Sequence, residues 1–141
     1  MMSKSQTLYL YAAWVISCCT LLGSLYFSEI KHLVPCNLCW YQRIALFPLS
    51  ILLGIALYKN ETTIISYAFP FPICAMLLSG YQILLQEIPG FAPLHVCSQD
   101  AIGSCFIKEP LSLGFITLPM LALASSVVIS FCLWRASKSS F

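Results

Sequence analysis

Four apolar stretches, each about as long as a bilayer is thick, limit what this chain can fold into more than anything else in it. They run over roughly 8–27, 39–58, 63–85 and 113–134, and crossing about 30 Å of hydrocarbon takes about 20 helical residues. Inside lipid every backbone polar group has to be satisfied by the segment itself, so runs of this kind fold as helices. Composition agrees: of 141 residues 60% are hydrophobic and only 9% charged, against roughly 25% charged in a soluble domain. The expected architecture is all-α, a single four-transmembrane-helix bundle over 1–141 embedded in a lipid bilayer, with outer loops at 28–38 and 86–112. The net charge of +2 comes from scattered residues, which excludes a nucleic-acid surface.

The first stretch reads as a retained span. Lys4 alone makes a thin basic flank, the apolar run exceeds the about 7 to 15 residues of a signal peptide, and no A-x-A site follows. Four spans put both termini and the Lys59-Asn60-Glu61-Thr62 turn on one side, and the two cysteine-bearing loops on the other. Lys4, Lys59, Arg135 and Lys138 then face Lys31, Lys108 and Arg43, a feeble positive-inside bias. Chemistry decides instead. Disulfides persist outside the reducing cytosol, so the loops are expected to be extracytoplasmic and both termini cytoplasmic. On that topology the Asn60-Glu61-Thr62 sequon is a coincidence. Pro48, Pro70, Pro72 and Pro119 fall within spans, where kinks are expected.

The second span contains the motif that points to chemistry, Pro35-Cys36-Asn37-Leu38-Cys39-Trp40-Tyr41-Gln42-Arg43. Beyond Arg43 too few apolar residues remain to cross the bilayer, so the helix has to begin near Cys39. Arg43 then sits about 6 Å inside the helix mouth, with Trp40 and Tyr41 suited to an interfacial belt. A cation there opposes the helix macrodipole and is costly deeper in lipid, so an anionic neighbour is expected at some stage. Cys39 supplies one. A helix N-terminus and a nearby cation both stabilise a thiolate, and positions 39 and 43 share one helix face.

The eight cysteines divide by location. Cys18, Cys19, Cys74 and Cys132 lie within spans, where cysteine acts as a small apolar residue, and packing is expected of them. Cys36 and Cys39 belong to the first outer loop and its junction with the second span, and Cys97 and Cys105 to the second loop. Two pairs in neighbouring outer loops form a candidate relay. Exposed or strained bridges are the exchange-prone ones. Two static disulfides bracing a redox-inert membrane scaffold are the alternative, and a zinc site from the four loop cysteines is only half supported by its spacing; neither accounts for Arg43. A membrane reductase drawing electrons from the cytoplasm would need an inward-facing thiol pair, which this topology lacks. No metal is expected. His95 could help activate a thiol, and Gln82 and Gln86, one turn apart, could bond a cofactor headgroup or another helix.

Taken together these residues resemble the DsbB/BdbC family of bacterial membrane thiol-disulfide oxidoreductases. The resemblance rests on the 35–43 motif, Gly80-Tyr81-Gln82 with Gln86, the Cys97/Cys105 pair, and Leu113-Gly114-Phe115-Ile116-Thr117-Leu118-Pro119. The short spacing between the loop cysteines and the Gly-Phe-Ile-Thr-x-Pro segment is closer to the BdbC branch. The resemblance implies a relay in the bacterial cytoplasmic membrane. A reduced extracytoplasmic thioredoxin-like partner attacks the loop disulfide at Cys97, Cys105 exchanges with Cys36, and electrons leave through Cys39 to a membrane quinone, ubiquinone or menaquinone, beside Arg43. The implied net reaction oxidises a partner dithiol and reduces the quinone.

Overall fold

The computed structural model describes residues 3–30, 37–88 and 118–139, and among them every regular element is an α-helix. α1 spans Lys4–Glu29, α2 Asn37–Lys59, α3 Thr63–Ala68, α4 Pro70–Glu87 and α5 Leu118–Lys138. Among the described residues four stretches are long and apolar enough to cross a membrane: Lys4–Glu29, Leu38–Lys59, Thr63–Leu85 and Pro119–Lys138. α3 and α4 together make the third. α1 packs on α2 and α5, and α4 packs on the same two, so the four spans close into a ring.

Local chemistry sets the ends of these helices. Ser3 caps α1: its hydroxyl accepts from the Gln6 amide at 3.3 Å while the Gln6 side chain accepts from the Ser3 amide at 2.8 Å, a reciprocal capping box. The Gln6 Nε2 also donates to the Ala136 carbonyl at 3.1 Å, which ties the start of α1 to the end of α5. α2 ends where Asn60 takes a φ of 55°, the left-handed position that asparagine tolerates, and Glu61 donates back to the Ala56 carbonyl at 3.3 Å in the Schellman pattern. The asparagine of the sequon therefore has a structural use as the stop of α2.

The prolines divide into three cases. Pro48 lies inside α2. Pro70 opens α4 after a break at Phe69, whose amide still donates to Ile65 at 3.0 Å; without an N–H, Pro70 cannot continue the ladder. Pro119 lies at the start of the described part of α5. Residues 113–117, expected to open the last span, lie outside the described residues.

The core is built from Leu10 and Ala13 of α1, Leu46, Leu49, Leu53 and Ala56 of α2, Ile65 of α3, Ala75 of α4, and Ile129, Leu133 and Ala136 of α5. Gly54 admits the Trp14 indole so closely that a Cβ there would lie 3.2 Å from Nε1. Outward, Leu8, Ile44, Ile51, Tyr67, Leu77 and Phe131 are exposed, an apolar perimeter that suits lipid. The bundle gains its stability from packing rather than from removing oil from water. Truncating fully buried Leu53 to alanine is expected to cost about 2 kcal/mol, read by SDS titration in mixed micelles. Ile51→Ala on the exposed perimeter is the control, and equal losses would refute this account of the core.

Candidate functional site

Cys39 is the third residue of α2, close to the positive end of the helix dipole. It packs with Leu38, Leu85, Leu78 and Tyr81 in an apolar cluster separate from the main core. Its sulfur faces α4. Gln82 Nε2 lies 3.5 Å from Cys39 Sγ, and Gln82 Oε1 lies 3.9 Å from it. Gln42, one turn along α2, donates its Nε2 to the same Oε1 at 2.9 Å. Both amides are buried, with 6% of Gln42 and 3% of Gln82 exposed, and buried polar groups of this kind are stable only when bonded. Of the two roles weighed for Gln82, the bond to another helix is present, and it includes the cysteine.

Arg43 turns the other way. Its Nε donates to Ser24 Oγ at 2.7 Å and its Nη2 to the Ser24 carbonyl at 2.9 Å, with the guanidinium carbon 5.5 Å from the centre of the Trp40 ring. Sharing a helix face with Cys39 led to the expectation that Arg43 serves the sulfur. Its bonds go instead to α1, because a long side chain can choose among partners within its reach and Ser24 presents two acceptors to one planar fork. The Arg43 Nη1 makes no hydrogen bond among the described residues. Trp40 and Tyr41 are half exposed, as a belt at the bilayer surface requires.

The remaining candidates fall differently. Cys36, Cys97, Cys105, His95 and the side chain of Gln86 lie outside the described residues, and with them the pairing of the loop cysteines and the zinc alternative. Cys132 is buried in the core, as packing requires. Cys19 and Cys74 are exposed and face out of the bundle, so their apolar character serves the lipid side. Ser24 and Gln42 were not singled out from sequence. The only available signal for Gln42 was its position one turn after Cys39, and for Ser24 there was none, because its contact spans two helices.

Residues 6–134 match the model of a family described as "Disulfide bond formation protein DsbB". The chain belongs to the DsbB family. It is 40% identical over 138 residues to "Disulfide bond formation protein C" of Bacillus subtilis, covering 96% of this chain and 99% of that one. A "Probable disulfide formation protein" of Coxiella burnetii is 44% identical over 130 residues, covering 92% and 88%, and one of Chlamydia trachomatis is 45% identical over 130 residues, covering 92% and 93%. No solved structure matches the chain. As a DsbB-family member with four bilayer-length helices, it is a multi-pass membrane oxidoreductase with a disulfide-generating role.

The Arg43 clasp joins α1 to the helix that bears Cys39. Ser24→Ala removes one of its two acceptors, a hydrogen bond to a charged group worth about 1.5 kcal/mol. A loss of that size is expected in SDS unfolding, and an unchanged transition would mean that the clasp does not hold the helices together.

Proposed function

We propose that this DsbB-family protein reoxidises an extracytoplasmic thioredoxin-like dithiol and passes the electrons to a membrane quinone, which makes it a protein thiol:quinone oxidoreductase. The observation that carries this reading is Cys39 in the first turn of a bilayer-spanning helix, with a half-buried arginine one turn below it. A thiol at that depth is within reach of both a water-side partner and a lipid-soluble oxidant.

In this reading a partner thiolate attacks Cys97, the Cys97–Cys105 bond breaks as the mixed disulfide forms, and Cys105 leaves as a thiolate; the partner's second thiol then releases Cys97 and closes the partner's own disulfide. Cys105 exchanges with Cys36, and Cys39 delivers the electron pair. The quinone, ubiquinone or menaquinone, supplies a two-electron acceptor that leaves as the quinol. Atoms balance: the partner loses two electrons and two protons as its disulfide forms, and the acceptor gains the same. The residues present suit such a group. Arg43 offers Nη1 to a carbonyl or phenolate oxygen while Ser24 holds Nε and Nη2, and exposed Trp40, Tyr41 and Ile44 line the same helix end with apolar surface for a ring. Arg43 is charged throughout, so its attraction grows as the acceptor becomes anionic.

Loops that exchange with an extracytoplasmic partner put both termini in the cytoplasm. A reporter fused to the C-terminus is expected to be active only on the cytoplasmic side, and activity outside would sink the topology. For the chemistry, purified protein with a reduced thioredoxin-like substrate separates a relay from an inert scaffold. Cys39→Ser is expected to abolish quinone reduction and leave the mixed disulfide at Cys97 intact. Arg43→Ala is expected to raise the KM for quinone about tenfold, the scale of a charge-assisted bond, with exchange at Cys97 little changed. Normal turnover in the first variant, or equal losses at both steps in the second, would refute the assignment.

A further inference from the structure

Two buried amides from two helices are linked to each other, and one of them contacts the Cys39 sulfur. Gln42 Nε2 donates to Gln82 Oε1 at 2.9 Å, and this bond turns the other end of the Gln82 amide toward Cys39, with Nε2 at 3.5 Å from Sγ and Oε1 at 3.9 Å. A thiol donates a hydrogen bond weakly, whereas a thiolate can only accept. The same amide therefore has a group for each protonation state. The arrangement is biased, because the nearer group is the donor and Oε1 is already bonded to Gln42. With Gln82 3% exposed and apolar Leu38, Leu85 and Tyr81 around the sulfur, water competes poorly and a bond to a charged atom is strengthened. Arg43, bonded to Ser24, leaves this task to the amide.

We infer that Gln82 is the hydrogen-bond donor that stabilises Cys39 as a leaving thiolate, and that Gln42 is the positioning residue that orients it. This rests on the redox role proposed for Cys39. When an incoming thiolate attacks Cys36, the Cys36–Cys39 bond breaks, a new bond forms between the attacking sulfur and Cys36, and the electron pair stays on Cys39 Sγ. No net electrons are lost or gained in this exchange. Stabilising the leaving sulfur speeds its departure, and stabilising the reduced form makes the pair a stronger oxidant. The site thereby divides its labour, with Gln82 acting on sulfur and Arg43 on the acceptor.

The test needs no quinone. Full-length protein in detergent is equilibrated against glutathione buffers, thiols are trapped by alkylation, and the state of Cys39 is read from the mass of its peptide. Gln82→Met keeps length and apolar volume but removes the donor; it is expected to shift the equilibrium about tenfold toward the disulfide, which is about 30 mV for two electrons. Gln82→Glu, with a carboxylate facing the sulfur, should shift it further in the same direction. Gln42→Met, which frees the Gln82 amide to turn, should give a smaller shift of the same sign and provides a second reading where substitution at 82 prevents folding. A Gln82→Met protein with wild-type helix content and a wild-type equilibrium overturns the inference. A shift in Gln82→Met with none in Gln42→Met overturns the orienting role. Wild-type protein that forms no Cys39 disulfide at any glutathione ratio overturns the redox role of Cys39 and this inference together.

Discussion

A bilayer gives a backbone amide no partner outside its own helix, and the organisation of this protein follows from that. The second span has to start at Cys39, because the apolar residues after Arg43 are too few to cross. That start places a thiol at the helix mouth and an arginine one turn further in. Both are expensive positions, and the neighbouring helices relieve the expense. α1 brings Ser24 to the arginine and α4 brings Gln82 to the sulfur.

Polar side chains do different work by depth. Near the middle, Ser79 and Ser126 are buried and bond back to carbonyls one turn earlier, which satisfies the hydroxyl without committing a second helix. At the ends, glutamines reach across. Gln6 clasps α1 to α5 at one end, and Gln42 clasps α2 to α4 at the other. Bonds of this kind in lipid contribute about 0.6 kcal/mol on average and up to about 1.7 kcal/mol, so they orient helices more than they hold the bundle together. The glutamine clasp at the Cys39 end thus contributes more to geometry than to stability, which suits a place where a sulfur has to be held in one position.

Much of this was legible from the chain. Hydropathy and length called for four spans, and the helix mouth at Cys39 followed from counting residues. Asn60 was visible as a sequon, but its role as a helix stop depends on a backbone turn that a sequence pattern does not display. Cys19 and Cys74 looked like packing residues because burial in a span was assumed, whereas a span in a four-helix ring exposes much of its surface to lipid.

The sequence by itself determined the fold class and the family, because bilayer thickness, helix rise and motif spacing are local or linear quantities. Only the tertiary structure decided the partners of Cys39 and Arg43. Arg43 and Cys39 share a helix face, and nothing along the chain separates their neighbours. The separation comes from where α1 and α4 pack on either side of α2: α1 brings two acceptors to the cation and α4 brings an amide donor to the sulfur. Those contacts join residues far apart in sequence, and they exist only once the ring of helices has closed.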